Sequence, residues 1–139
     1  MTAPDFASSV DLLRAASHVA IHSVGFAAAR PPEMVAYVQL RDAGAAVRTE
    51  VDELLRTGSP SGRVYAGLLL EALDPHAGHD AWASLAGDPA PTAIHPGGCL
   101  PFFPTTVGAF ASAALASGSA ASAMNVSGRP SWSHPEAGE

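Results

Sequence analysis

Ser59–Pro60–Ser61–Gly62–Arg63–Val64–Tyr65–Ala66–Gly67–Leu68–Leu69–Leu70–Glu71–Ala72–Leu73–Asp74–Pro75 decides the fold. Ser before Pro is a helix start, because a serine oxygen caps orphaned N–H groups and proline lacks only a donor that would be unsatisfied there. Tyr65, Leu68, Leu69 and Ala72 mark one stripe, and Val64, Leu70 and Leu73 widen it beyond that of a half-solvated helix. Such a helix belongs in the middle of a bundle. Each of its leucines contributes very roughly 1.5–3 kcal/mol on burial. Asp74–Pro75 repeats the start signal, which predicts a second helix from about Pro75 to Ala86, stopped at Gly87. Trp82 and Leu85, with Gly78 a turn earlier, define its inner face. Two helices joined by almost no linker must fold back on each other.

Upstream, Phe6, Val10, Leu13, Ala20 and Val24 recur at helical spacing, so one helix is expected from Asp5 to Ala29, ended by Arg30–Pro31–Pro32. A second is expected from near Glu33 to the stretch Asp42–Gly44, and a third from about Ala45 to Thr57. Val47, Val51, Leu54 and Leu55 form the core stripe of the third, opposite a solvated ladder of Arg48, Asp52 and Arg56. Downstream, Thr92–Ala93–Ile94–His95 reads as a short extended segment and Leu100–Pro101–Phe102–Phe103–Pro104 as an aromatic loop. Thr105 or Thr106 caps a last helix that runs to Gly118. The fold class is therefore all-α: a compact bundle of five or six helices forming one domain over residues 1–118. Residues 119–139, rich in Ser, Ala, Gly and Pro, read as a disordered tail. Within it Trp132–Ser133–His134–Pro135 looks like the start of a streptavidin-binding tag that the following residues do not continue, and it is left outside the fold.

Length and charge narrow the function classes. The chain has 139 residues, a formal net charge of −6, and seven basic residues, all of them arginine. With no basic run, neither nucleic-acid binding nor a polybasic membrane contact is expected. The Ala/Arg bias points to a GC-rich bacterial genome. A single cysteine, Cys99, cannot form an internal disulfide. Asp5 and Asp11 precede the first arginine, and His18 and His22 interrupt the apolar stretch, which argues against an export signal. A cytoplasmic location is expected.

Met34–Gly58 and Val64–Gly87 look like two copies of one plan, offset by about 29 residues, a period typical of stacked helical pairs. The run Arg63–Pro75, followed by Leu85–Ala86–Gly87–Asp88–Pro89, resembles a HEAT-like helical repeat. The resemblance covers roughly Glu33 to Pro89, in units shorter than usual repeats. It implies stacked hairpins and a role in protein interaction.

Candidate chemistry is sparse. His18 and His22, four apart, share a helical face as metal ligands do, or simply belong to a solvated stripe. His76, His79 and Asp80 crowd the first turn after Pro75, where the helix dipole disfavours an imidazolium. His95 and Cys99 flank Pro96–Gly97–Gly98, a pairing for a thiolate and its base, although a lone cysteine more often serves as a small buried hydrophobe. Convergence of His76, His79, His95 and Cys99 would make a zinc site. No phosphate-binding loop or acid/base carboxylate couple is present. The residues therefore point to a non-enzymatic adaptor that binds a protein partner or a second copy, with no cofactor, through Tyr65, Trp82, Phe102 and Phe103. The alternative is a small thiol- or metal-dependent enzyme using His95 and Cys99. A closed small-molecule pocket near Tyr65 and Trp82 is a third reading.

Overall fold

A computed structural model describes residues 6–20, 31–95, 102–124 and Trp132. Its centre is the leucine-rich helix. Ser59 caps it, its hydroxyl oxygen accepting from Gly62 N at 3.0 Å, and the helix (α4) runs Pro60–Leu73 with Val64 to Leu70 all buried. Asp74 then serves both neighbours. Its backbone N–H donates to Leu70 O at 2.8 Å, and its side chain accepts from His76 N at 3.0 Å to open α5, Pro75–Leu85. The two helices pack antiparallel as a hairpin, and two glycines set how closely they approach. A Cβ on Gly67 would lie 2.7 Å from the Trp82 ring, and one on Gly78 would lie 2.5 Å from Glu71 Cβ.

Around α4 stand α1 (Phe6–Arg14), α2 (Pro32–Ala43), α3 (Arg48–Thr57) and α6 (Val107–Ser117). The chain is mostly helical, and a compact helical bundle describes it. Gly44 at φ 62 ends α2, and a 3-10 turn over Gly44–Val47 leads into α3. Arg48 and Asp52 pair at 3.2 Å on the solvated side of α3. α2 packs chiefly on α1 and α4, and α3 on α4.

The first helix is shorter than its apolar spacing predicts. It stops at Arg14, whose carbonyl accepts from Ser59 N at 2.9 Å, and Ser59 Oγ donates to Ala16 O at 2.6 Å. The C-terminal carbonyls of α1 thus meet the N-terminus of α4, a favourable opposition of helix dipoles. Beyond it Val19–Ala20 form a strand (β1); the rest of the expected helix, residues 21–29, lies outside the described residues.

β1 belongs to a small three-stranded sheet that the sequence reading did not foresee. The strand β2 (Pro91–His95) lies in the middle, parallel to β1 with Val19 opposite Ile94. It is antiparallel to β3 (Phe103–Thr106), with Thr92 opposite Thr105. β3 contains Pro104, which suits an edge strand and disguises it as loop. The sheet is tied to the bundle by Ser61 and Thr92, whose buried hydroxyls lie 2.6 Å apart.

Tyr65 makes the second tie. Its ring is fully buried, and its hydroxyl accepts from Ala20 N at 2.8 Å while donating to Ala20 O at 3.1 Å. Burial pushes this phenol well above its ordinary range, with the Ala20 bond opposing, so it stays a donor. Tyr65→Phe should lower the unfolding free energy by about 1–3 kcal/mol, because it strands the buried Ala20 N–H and C=O. Urea titration followed by circular dichroism measures this, and an unchanged midpoint would show that β1 does not depend on the bond.

Thr106 caps α6, accepting from Ala109 N at 3.1 Å, while Ala90 O and Asp88 O accept from Val107 N and Gly108 N. The Asp88 side chain accepts from Ala90 N at 2.9 Å and pairs with Arg63 at 2.7 Å, holding this turn against α4. Gly118, at φ 87, closes α6 in the left-handed conformation. Of the segment 119–139, residues 125–131 and 133–139 lie outside the described residues. Ala120–Met124 form a short helix (α7), and Trp132 is buried against Phe103 and Phe110. The apolar surface of these two rings captures a residue whose polar, glycine- and proline-rich surroundings hid its role.

Candidate functional site

Three places on the surface gather unusual side chains. The first is a crevice of about 270 Å³ where α4, α5 and α6 meet, lined by Glu71, Pro75, His79, Trp82, Leu115 and Ser119 among others. Glu71 is its polar anchor. The carboxylate accepts from Trp82 Nε1 at 3.1 Å and from Ala120 N at 2.9 and 3.1 Å, and no arginine pairs with it among the described residues. One half-buried acid thus orients the α5 indole and the start of α7. Ala114 and Leu115 supply apolar wall, so the crevice suits a small group with an apolar body.

The second is a groove of about 410 Å³ between α1 and α2, lined by Leu12, Pro32, Val35 and Ala36 with Ser9 and Gln39. Ser9 Oγ and Gln39 Oε1 bond at 2.6 Å across it. Leu12 and Val35 are 38% and 39% exposed, two of the three large exposed apolar side chains among the described residues. Scattered exposed apolar side chains need no explanation, but two in one concavity form a sticky patch. The amphipathic spacing of α1 hid it, because Leu12 and Leu13 are adjacent and only Leu13 turns inward.

The third is Phe102, 39% exposed, which meets two imidazole edges. His18 lies at a ring-centroid distance of 4.9 Å and 71°, His95 at 4.8 Å and 67°. His95 itself is buried at the end of β2.

The residues singled out from sequence divide accordingly. Tyr65 and Trp82 are core residues with 0% and 1% exposure, so Tyr65 offers no surface to a partner and Trp82 only borders the first crevice. Both also lie on inner helix faces in the sequence, and that placement is the one observed, with the Tyr65 hydroxyl and the Trp82 indole N–H both spent inside. Phe102 is the exposed member, and Phe103 packs edge-on against Trp132 at 6.3 Å. His76 and His79 sit exposed on α5, whereas His95 is buried in β2. Cys99 and His22 lie outside the described residues. Among the described residues no three His, Cys, Asp or Glu side chains gather to hold a metal ion.

Two residues that matter were not singled out as candidates. Glu71 carried a signal, being the acidic position in an otherwise apolar helix. Trp132 carried only its size. No helix among the described residues is long and apolar enough to cross a membrane. Compared with known protein families, with characterised proteins and with solved structures, the chain shows no match.

Proposed function

We propose that this chain is a small non-enzymatic interaction module, HEAT-like in its stacked helical pairs, that takes a segment of a protein partner or a second copy in the α1–α2 groove. The observation that carries this reading is the pairing of Leu12 and Val35 within one concave, mainly apolar surface. The α4–α5 hairpin supports the repeat-like character. Action in a bacterial cytoplasm, without nucleic acid, belongs to the same proposal; the net charge of −6 supports the absence of nucleic acid.

A Leu12→Glu/Val35→Glu double variant tests it. Both side chains are already partly in water, so the fold should tolerate the change while association is lost. Sedimentation of the purified protein, and capture from its own cell extract, should each show a species with the wild type that the double variant lacks. His95→Ala and Cys99→Ser should leave that species in place, whereas the alternative enzyme would lose its activity. Identical behaviour of the wild type and the groove variant would overturn the proposal.

A further inference from the structure

The place where Trp132 sits has the features of a receptor for a peptide segment. One wall is Phe110, on α6, meeting the indole edge-on at a centroid distance of 5.3 Å and 85°. The other is Phe103, on β3, at 6.3 Å and 87°. Edge-to-face geometry selects an aromatic side chain over an aliphatic one of similar bulk. At the far end Trp132 Nε1 donates to Ala123 O at 2.8 Å, a contact that neither Phe nor Leu can replace. At the near end Thr105 Oγ1 donates to the Trp132 backbone carbonyl at 2.6 Å, which fixes the main chain carrying the indole. The result is a tryptophan only 4% exposed, held by its ring, its N–H and its carbonyl. All three are contacts that a separate segment can make equally well. None of them requires covalent continuity with α7.

We infer that the slot formed by Phe103, Thr105, Phe110 and Ala123 is a tryptophan-anchor site whose second occupant is the C-terminal segment of another copy of this chain. The identical segment presents the identical indole and carbonyl, so complementarity is assured without any new surface. Exchange between two copies gives a closed, two-fold pair in which each donates its Trp132 and receives the other's. Seven residues, 125–131, separate Trp132 from the end of α7. Filling its own slot is a unimolecular event and exchange a bimolecular one, so the chain fills its own slot when dilute and exchanges when crowded. This surface is separate from the α1–α2 groove, and failure of either proposal leaves the other standing.

The test uses the full chain with Trp132→Ala, which empties the slot, and a synthetic peptide of residues 126–137 as probe. Calorimetric titration should show one-to-one binding to the variant. Binding to the wild type, whose slot is filled, should be weaker by about tenfold or more. A peptide with Trp132→Ala should not bind. Adding Thr105→Val to the receptor should weaken binding about fivefold, the loss of one hydrogen bond. Three outcomes overturn the inference. A folded Trp132→Ala chain that ignores the peptide shows that the slot does not act in trans. A Trp132→Ala chain that cannot fold shows that the indole is inseparable core. Equal affinity for a peptide with the same tryptophan in scrambled surroundings assigns the slot to tryptophan-bearing segments in general and removes the second copy as its specified occupant.

Discussion

Trp82→Ala should lower the unfolding free energy by about 3–5 kcal/mol, the largest loss expected from any single side chain in this protein. The indole is 1% exposed, lies against the Cβ-free face of Gly67, and meets Phe110 edge-on at 5.6 Å. Removing it opens a cavity at the centre of the α4–α5–α6 junction. It also takes from Glu71 the indole N–H, leaving Ala120 N to hold the carboxylate. Urea titration followed by circular dichroism measures the loss; a change below about 1 kcal/mol would mean that the indole is not what fills this junction. A second substitution sharpens the reading. Gly67→Ala in the wild type drives a methyl group to 2.7 Å from the indole ring and should destabilise. In the Trp82→Ala background the same methyl enters vacated space and should be neutral or favourable. The two changes must therefore couple, and additivity within about 0.5 kcal/mol would show that the indole does not rest on Gly67.

The next largest effect is expected at Gly78. An alanine there places its methyl 2.5 Å from Glu71 Cβ and 2.9 Å from Glu71 N, and the backbone of the central helix cannot give way as a side-chain tip can. The α4–α5 hairpin must open, at a cost of about 3 kcal/mol. Gly87→Ala is the matched control, since nothing lies within 4 Å of a Cβ at that position. Its unfolding free energy should change by no more than about 0.5 kcal/mol. Thermal unfolding of the two variants side by side reads the difference. Equal midpoints would mean that the hairpin is spaced more widely than the structure has it.

These two glycines show how far sequence reading reaches. Gly78 was legible as part of an inner helix face, because it sits one turn before Trp82. That Gly67 is its counterpart, receiving the indole, depends on the crossing of α4 and α5 and is written in neither helix alone. Glu71 is similar. Its acidity within an apolar run marks it as unusual, but its partners, the Trp82 indole and the Ala120 amide, come from two other elements. Tyr65 and Trp82 are similar: the sequence puts both on inner helix faces, and burial bears that out, but the partners of their polar ends, Ala20 and Glu71, come from other elements. The paired exposure of Leu12 and Val35 arises only when α1 and α2 lie side by side.

Sequence alone determined where α2, α4, α5 and α6 lie. Pro31–Pro32, Ser59–Pro60, Asp74–Pro75 and Thr106 start them, and Gly44 and Gly118 end two of them, through bonds that close within a few residues. Such bonds form whatever the rest of the chain does. Tertiary structure decided everything that depends on distant partners. Ser59 binds Ala16, just past the end of α1, from 43 positions away, Tyr65 holds β1 from 45, and Thr105 captures Trp132 across 27. No local pattern encodes those contacts, because each becomes favourable only after the central helix has gathered its neighbours and excluded the water that would otherwise compete for the same donors and acceptors.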